Sequence, residues 1–434
     1  MNYKAALEYI SSLSSYGIVP GLDSISELCR RLKNPQSSLK FVHIAGTNGK
    51  GSVLAYVSTV MECAGYRVGR YISPTIFEYR ERIQVNRRMI SKAALCEGLE
   101  IIKKICEEMR EDGLAQPTPF EVETALAFWY FREKKCDIVV LETGMGGLLD
   151  ATNVIDNVIT AVIASVSMDH MQFLGDNLRS IASQKAGIIK SGCRVVLMKQ
   201  KEEVMEVVSE AAAAKGAELI IADSTKASHV KYGINRQSFD YMGYRRLEIT
   251  LAGEFQVDNA VLAVEVIDSL GSSGFSISEK ALREGLRSTV WHGRFTVISK
   301  KPLFIIDGAH NADAAQKLAS SVEFYFTNRK IIYIMGILRD KEYDKIISAT
   351  VKYANEIITV TPPDNPRAMT AFELAKEIAG LHPDVTAADS LEEAVEMSML
   401  LAEPEDVIIA FGSLSYLGRL TQIVTGKARQ NGKS

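Results

Sequence analysis

Residues 46–52, GTNGKGS, form a glycine-rich segment with one lysine between an apolar run and a helical pattern. Backbone N–H groups of such a turn, at the start of a helix, bind phosphate oxygens, and the lysine neutralises their charge. A hydroxyl at the helix start, here that of Ser52, can reach a Mg²⁺ ion that accompanies the phosphates. The segment therefore predicts a cradle for a nucleoside triphosphate.

The segment departs from the common P-loop pattern, in which Gly and four residues precede Gly-Lys-Ser/Thr. Ile44 occupies the position of the first Gly, and Gly51 separates Lys50 from Ser52. A tight strand-to-helix turn that needs glycine only for its backbone is the structural alternative. The coincidence of a strand, three glycines, a lysine and a helix favours a short variant of the phosphate loop.

Two further polar side chains follow apolar runs. Glu142 closes the run at 138–141 and precedes a glycine-rich stretch, and His170 follows the run at 160–165. Because ligands gather at the carboxyl ends of parallel strands, both are candidates for holding Mg²⁺ or its water near the phosphate loop. The alternatives are a capping role for Glu142 at the glycine-rich turn and a structural role for His170.

Other polar groups are distributed over two regions of the chain. Lys185 lies on the helical segment 180–187, although most helical lysines are solvated. Asp307 and His310 follow the apolar run at 303–306, and Ser413 follows the last run. Polar strand ends in two domains predict a cleft, where ATP bound to one domain meets a substrate held by the other.

Composition excludes several classes of protein. A length of 434 residues with 47% hydrophobic side chains suffices for about two or three packed domains. The net charge of -3 gives no broad basic field, so we expect no nucleic acid partner. The 6 cysteines are scattered without a CxxC pair, which indicates reduced core residues. Without a signal-like start or an apolar run of about 18 residues, we expect a cytoplasmic protein and no membrane partner.

Short apolar runs alternate with amphipathic stretches, a pattern typical of parallel α/β layers. In the first half, the candidate strands are 40–45, 137–141, 159–165, 194–198 and 218–221. Alternation over 230–251 predicts antiparallel hairpins instead. A second series of apolar runs follows residue 302. We therefore predict an α/β protein with a P-loop, ATP-binding domain over 1–297 and a smaller Rossmann-like domain over 298–434.

A series of motifs identifies a family resemblance. In chain order they are 46–52 (GTNGKGS), 71–74 (YISP), 81–83 (ERI), 120–121 (FE), 142–153 (ETGMGGLLDATN), 168–170 (MDH), 184–190 (QKAGIIK), 293–294 (GR), 307–311 (DGAHN) and 366–368 (PRA). Together they resemble the folylpolyglutamate synthase family and its bifunctional dihydrofolate synthase form, within the Mur ligase superfamily. The motifs span nearly the whole chain, so the resemblance implies a Mur-ligase-like central domain followed by a C-terminal glutamate-ligase domain.

The resemblance also implies roles for particular residues. It predicts that ATP is bound by Thr47, Asn48, Gly49, Lys50, Gly51, Ser52, Asn259, Arg294 and Asp307. The residues that match Mg²⁺ ligands are Ser73, Glu142 and His170. Lys185 matches a lysine that the family carries as a carbamate, and His310 would position the glutamate or an acyl phosphate. The pterin-bearing substrate would lie near Thr118, Pro119, Phe120, Glu121, Leu149, Asp150 and Ala151.

The activity that the resemblance implies is an ATP-dependent ligation. The enzyme, acting as a monomer, would join the α-amine of L-glutamate to the carboxylate of a folate or of dihydropteroate, through an acyl phosphate. A cell-wall Mur ligase with a UDP-linked substrate is the nearest rival, although motifs 150–153 and 307–311 follow the folate branch. The other rivals are a simple P-loop kinase or GTPase and an inactive nucleotide-binding regulator, neither of which would release ADP in a glutamate-dependent manner.

Three residues depart from the family pattern. In the family, a histidine is common at the position of Thr75 and an arginine is frequent at the position of Leu148. The family pattern Gly-x-His-Gln has a histidine at the position of Phe255. The first two lie near the expected folate site. They therefore bear on the pterin preference more than on the ATP chemistry.

Overall fold

The structure of the protein, a computed structural model, describes residues 1–13 and 21–431. It divides into two compact units, the first formed by Met1–Ser228, Asp240–Leu247 and Asp258–Thr289, and the second by His229–Phe239, Glu248–Val257 and Val290–Ser434. The domain ranges 1–297 and 298–434 stay predictions. Each unit has its own parallel-type sheet, so the predicted α/β class is confirmed.

The first unit is organised around an eight-stranded sheet. Its strands are β1 Phe41–Ala45, β2 Val68–Tyr71, β3 Ile83–Val85, β4 Arg88–Met89, β5 Ile138–Glu142, β6 Val158–Ile163, β7 Arg194–Met198 and β8 Glu218–Ala222. The order is β4-β3-β2-β5-β1-β6-β7-β8, with β3 antiparallel to both of its neighbours and the other pairs parallel. All side chains of β1 are buried, because helices cover both faces of such a sheet.

The helices before residue 290 are α1 Tyr3–Ser12, α2 Asp23–Arg31, α3 Lys50–Cys63, α4 Lys92–Glu111, α5 Pro119–Glu133, α6 Met171–Leu174, α7 Leu178–Ala186, α8 Glu202–Ala214, α9 Phe255–Ser272 and α10 Glu279–Ser288. Helix α3 follows the predicted phosphate loop and is buried from Gly51 to Met61. It packs closely on α10, where a Cβ on Gly285 would lie 2.4 Å from Val60 Cα. The helix that carries Lys50 is therefore held on a rigid support.

A second sheet has three strands, β9 Ser228–Lys231, β10 Gln237–Tyr241 and β11 Tyr244–Ile249, in the order β11-β10-β9. Met242 and Gly243 connect β10 to β11 and have φ of 51° and 81°. Positive φ at both residues is the geometry of a two-residue hairpin turn. This agrees with the hairpins that the alternating pattern predicts.

The second unit contains a six-stranded sheet. Its strands are β12 Thr296–Lys300, β13 Leu303–Ile306, β14 Ile331–Met335, β15 Glu356–Thr359, β16 Val385–Ala387 and β17 Val407–Phe411. The order is β12-β13-β17-β14-β15-β16, and only the edge strand β12 runs antiparallel to its neighbour. The helices that accompany it are α11 Ala312–Tyr325, α12 Tyr343–Thr350, α13 Ala371–Ala379, α14 Leu391–Leu401 and α15 Leu414–Asn431. Among the described residues, no helix is both long and apolar enough to cross a lipid bilayer.

Candidate active site

The phosphate loop at 46–52 lies between the end of β1 and the start of α3. Gly46 and Gly49 have φ of 157° and 87°, and the second value lies in the left-handed region that favours glycine. Gly49 precedes α3 and caps it without a side chain, so N–H groups at the helix start face outward. Those N–H groups and the positive end of the helix dipole attract an anion. The backbone thus has the form of a phosphate cradle.

Asn259, on α9, lies against the phosphate loop at Gly49. A Cβ built on Gly49 would lie 2.5 Å from Asn259 Oδ1, which is closer than real Cβ atoms approach another atom. Asn259 itself is buried, with 5% of the residue exposed. The structure therefore brings together two of the residues predicted to bind ATP, although they lie far apart in the chain.

We expect Gly49→Ala to weaken nucleotide binding about 100-fold, because the new methyl group collides with Asn259 and the left-handed backbone strains any other residue. Gly65→Ala is the matched control, since Gly65 has φ of 94° and nothing within 4 Å of its Cβ position. Calorimetric titration with ADP measures both affinities. If Gly49→Ala bound ADP as the control does, the cradle would not lie at this turn.

Thr47 and Asn48 tie the loop to the segment that follows β6. The Thr47 N–H donates to Ser165 O at 2.6 Å. The Thr47 hydroxyl donates to Ser167 O and accepts from Ser167 N–H, each at 3.0 Å. Ser165 forms a bridge with Asn48 and donates its hydroxyl to Asn48 O at 3.2 Å. These bonds fix the shape of the loop, and the predicted contacts of both residues with ATP stay predictions.

Lys50 begins α3, and its ammonium group folds back over the loop. Nζ donates to Gly46 O at 3.0 Å and to Thr47 O at 3.3 Å, and it lies 4.0 Å from Glu142 Oε1. The side chains of Lys50 and Glu142 are 15% and 7% exposed, so solvent screens their attraction little. Ser52 lies buried in the first turn of the same helix. The lysine is placed to meet phosphate oxygens that enter the loop.

Glu142 ends β5, where its backbone pairs with that of Ile44 on β1. Within residues 1–13 and 21–431, no group of three or more His, Cys, Asp and Glu side chains could hold a metal ion. Magnesium at nucleotide sites needs only one or two protein carboxylates, because water and phosphate oxygens complete its shell. A single buried carboxylate beside the phosphate loop fits that chemistry.

The other two predicted Mg²⁺ ligands lie in segments that follow the carboxyl ends of strands of the same sheet. Ser73 follows β2, which is the neighbour of β5. His170 precedes α6 with φ of 50°, and its Nε2 lies 3.9 Å from Asp169 Oδ2. The His170 side chain is 41% exposed, so the ring is accessible to a ligand. Their roles as metal ligands stay predictions.

Lys185, on α7, is buried rather than solvated. Burial, with a smaller contribution from the positive charge of Lys50, lowers the pKa of its ammonium group to about 7, while Asp169 and Asp150 oppose the shift. With that pKa, about half of the amine is neutral at pH 7, and the neutral form is available as a nucleophile. The sequence alone gives no sign of this burial.

The turn after Glu142 packs against the end of α7. A Cβ on Gly147 would lie 2.7 Å from Gln184 O, and the Leu148 N–H donates to that same oxygen at 2.7 Å. Leu148 and Leu149 are 43% and 46% exposed, so both apolar side chains face solvent. Of the residues predicted to contact the pterin, Leu149 is therefore accessible, whereas Asp150 and Ala151 are buried.

Asp150 organises this turn. Its Oδ2 accepts the Met145 N–H at 2.8 Å, and its Oδ1 accepts the Thr152 N–H at 3.1 Å and the Thr152 hydroxyl at 2.5 Å. Burial raises the pKa of the Asp150 carboxyl, and the hydrogen bonds from Thr152 and Met145 oppose that shift. Hydrogen bonds from the protein therefore fix the position of the Asp150 carboxylate.

The predicted substrate segment at 118–121 forms the start of α5. Thr118 and Glu121 make a capping box, in which the Glu121 carboxylate accepts the Thr118 N–H at 2.7 Å and Glu121 N–H donates to the Thr118 hydroxyl at 3.3 Å. Pro119 occupies the first turn, where its missing N–H does no harm. The Phe120 ring covers Gly144, whose Cβ position lies 2.6 Å from Phe120 Cζ. This segment positions the turn after Glu142, and its contact with a substrate stays a prediction.

The ERI motif also has structural partners. The Glu81 carboxylate accepts the N–H groups of Ile76 and Phe77 at 2.9 and 3.2 Å. Arg82 pairs with the buried carboxylate of Glu123 at 3.1 Å. Burial raises the pKa of Glu123, and the charge of Arg82 opposes the shift. The motif therefore stabilises the segment that follows Ser73.

In the second unit, Asp307 follows β13 and is buried. Its carboxylate accepts the Phe295 N–H at 2.7 Å and the Ala309 N–H at 2.8 Å. Burial raises the pKa of Asp307, and the charge of Arg294 opposes that shift. Arg294 crosses Gly308 so closely that a Cβ there would lie 2.4 Å from Arg294 Nη1. The structure thus brings Arg294 and Asp307 together.

His310 lies in the same segment. Its Nδ1 is 2.7 Å from Gly308 O, and a carbonyl only accepts, so Nδ1 carries the proton. In the neutral ring, Nε2 is then the basic nitrogen. Asn311 caps α11 by accepting the Ala314 N–H at 2.9 Å. The DGAHN motif therefore fixes a short loop and the tautomer of the His310 ring.

His43, Ser165 and Ser167 also belong to this region, although none of them is among the site residues predicted from the sequence. The two serines hold the phosphate loop through hydrogen bonds that only the folded chain brings together. His43 has a visible signal, because it is a polar residue in the apolar strand β1 and is fully buried.

Comparison with known families finds one matching domain family in each of two regions of the chain. Residues 44–267 match the Mur ligase middle domain, and residues 293–414 match the Mur ligase glutamate ligase domain. The chain is 34% identical over 386 residues to the dihydrofolate synthase/folylpolyglutamate synthase of Bacillus subtilis, covering 87% of this chain and 89% of the relative. It is 33% identical to the folylpolyglutamate synthase of Lacticaseibacillus casei, covering 98% and 99% of the two chains.

Solved structures of folylpolyglutamate synthases are also similar to this chain. The folylpolyglutamate synthase of Mycobacterium tuberculosis, complexed with ADP and AMPPCP, superposes with a TM-score of 0.89 at 29% identity, covering 98% of this chain and 99% of that chain. Escherichia coli FolC, in complex with DHPP and ADP, gives a TM-score of 0.84 at 28% identity, covering 99% of both chains. The likeness therefore extends over both units.

Proposed function

Because the chain belongs to the Mur ligase family, and to its folylpolyglutamate synthase branch, we propose that it adds L-glutamate to a reduced folate and to dihydropteroate. The protein is an ATP-dependent ligase. The observation that carries the proposal is the placement of Lys50 over a glycine-rich loop, 4.0 Å from a buried carboxylate on the neighbouring strand. The relatives named above supply the substrate class.

The proposed chemistry activates a carboxylate, which is by itself a poor electrophile. A carboxylate oxygen of the folate attacks the γ-phosphorus of ATP, ADP leaves, and an acyl phosphate forms. The glutamate amine then attacks the carbonyl carbon, and the tetrahedral intermediate expels inorganic phosphate while the amine loses a proton. Lys50 stabilises the charge that develops on the transferred phosphoryl group.

Residues around the loop support this chemistry. Asn259 closes over Gly49 and would hold ATP in the loop. Mg²⁺, when held by Ser73, Glu142 and His170, would neutralise phosphate charge. In the second unit, we propose that Arg294 and Asp307 contact ATP, and that the basic Nε2 of His310 accepts a hydrogen bond from the glutamate ammonium.

We further propose that Lys185 carries a carbamate. The ammonium group first loses a proton, and the neutral amine then adds to CO₂ through a new N–C bond and releases a second proton, so that a cation becomes an anion. The buried environment, with the pKa lowered to about 7, favours the neutral amine that this addition requires. The resulting carboxylate would orient groups beside the phosphate loop.

The test is release of ADP from ATP under four conditions: with dihydropteroate, with tetrahydrofolate, with a UDP-linked peptide, or with no acceptor, each with and without L-glutamate. We expect ADP release that requires both an acceptor and glutamate. Release with a UDP-linked peptide acceptor alone would assign the chain to the cell-wall branch. ATP binding without any glutamate-dependent ADP release would indicate a nucleotide-binding regulator and would overturn the proposal.

A further inference from the structure

A chain of hydrogen bonds runs from the middle of β1 to the turn after Glu142. His43 Nε2 lies 2.9 Å from Thr152 Oγ1, and Thr152 Oγ1 donates to Asp150 Oδ1 at 2.5 Å. Asp150 Oδ2 in turn accepts the Met145 N–H at 2.8 Å. The side chains of His43 and Thr152 have no exposure to solvent. The mechanism above assigns no part to either residue.

The direction of these bonds determines the tautomer of His43. A threonine hydroxyl has one proton, and Thr152 gives that proton to the Asp150 carboxylate. Toward His43 the hydroxyl is therefore an acceptor, so Nε2 must carry the proton. Nδ1 is buried and has no hydrogen-bond partner within residues 1–13 and 21–431. Burial, and to a lesser extent the charge of Lys190, lowers the pKa of His43 to about 3, so the ring is neutral.

A buried imidazole nitrogen without a partner is unfavourable, and an apolar side chain would avoid it. The same ring, however, supplies the donor that keeps the Thr152 hydroxyl turned toward Asp150. Without that donor, the hydroxyl proton could rotate away and Asp150 would lose a charge-assisted hydrogen bond. The hydrogen bond that the Met145 N–H donates to Asp150 would then weaken, and the turn that packs on α7 would be held less firmly.

We propose that His43 is a positioning residue of the ligase: through Thr152 and Asp150 it fixes the turn that joins Glu142 to the exposed Leu149. The inference rests on the proposed function only in the identity of the substrate that this turn faces. It links the strand beneath the phosphate loop to the side of the site where the pterin acid is predicted to bind.

The kinetic test compares His43→Leu, which removes the donor, with His43→Gln, whose amide can supply an N–H near the same place. We expect His43→Leu to lower kcat/KM for the pterin acceptor at least about tenfold and to leave KM for ATP within about twofold. His43→Gln should recover activity to within about threefold of the wild type. Equal losses in both variants, or a larger change in KM for ATP, would show that His43 only fills space in the core.

A double-mutant cycle tests the link itself. Thr152→Val should reproduce the effect of His43→Leu, and the double variant should lose no more than either single variant, because one chain is broken in each case. Fully additive losses would refute the link.

A spectroscopic readout separates this inference from the proposed function. Nitrogen-15 spectra of the wild-type imidazoles should show one ring that is protonated at Nε2, unprotonated at Nδ1 and unchanged between about pH 5 and pH 8. His43→Gln should remove that signal, and Thr152→Val should shift it. If the spectra agree but no acceptor supports ADP release, the proposed function fails and the hydrogen-bond chain stands. A signal that His43→Gln removes and that reports protonation at Nδ1 of that ring would overturn the chain of hydrogen bonds whatever the activity.

Discussion

Lys50→Ala is expected to lower glutamate-dependent ADP release about 1000-fold, equivalent to about 4 kcal/mol of transition-state stabilisation. The ammonium group lies over the loop carbonyls and 4.0 Å from Glu142 Oε1. Its removal takes away one cation that stabilises the developing charge on the transferred phosphoryl group, and one positive charge beside the buried Glu142 carboxylate. Initial rates at saturating ATP, acceptor and glutamate measure the effect.

The matched control is Lys40→Ala. Lys40 immediately precedes β1, at the opposite end of the strand from the loop, and is exposed. This variant should keep wild-type turnover, and thermal unfolding of both variants should show that the fold survives. Turnover of Lys50→Ala within tenfold of the control would mean that the lysine is not the cation of the phosphate site.

Lys185→Ala should likewise lose most of its activity, by about 100-fold or more, because it removes the proposed carbamate. Short-chain carboxylic acids such as acetate should restore part of the rate, since they can place a carboxylate in the space that the side chain leaves. The same acids should not activate Lys50→Ala. Absence of rescue together with full wild-type activity in CO₂-free buffer would contradict the carbamate.

The carbamate can also be observed without turnover. Wild-type protein in ¹³C-bicarbonate should give one carbamate carbon resonance that Lys185→Ala lacks. The signal should grow as pH rises through about 7, because the pKa of the Lys185 ammonium group lies there and only the neutral amine adds CO₂. A signal that declines over this range would contradict the assigned sign.

Much of the architecture could be predicted from the sequence because the strands are apolar runs that end in chemically distinctive residues. The predicted strand at 194–198 has the observed bounds of β7, and the loop at 46–52 joins a strand to a helix as expected. The edge strand β12 could not be predicted, because none of its residues is buried and its sequence therefore contains no apolar run.

The local sequence pattern does not predict the environment of every residue of the candidate site. The carboxylate of Glu121 is engaged in a helix cap, and the predicted contact of this segment with the substrate stays a prediction. Lys185 looks like a solvated helical lysine, yet the fold buries it. The burial of Lys185 depends on long-range packing, which periodicity and spacing do not encode, whereas the cap at Glu121 joins residues only three positions apart.

The ties from Thr47 to Ser165 and Ser167 bear on the thermodynamics of nucleotide capture. They hold the glycine loop in shape before any ligand arrives, so little conformational entropy is lost when the phosphates enter. They also anchor the stretch that leads to His170. Preorganisation of this kind raises the affinity for the nucleotide, because the loop needs no rearrangement on binding.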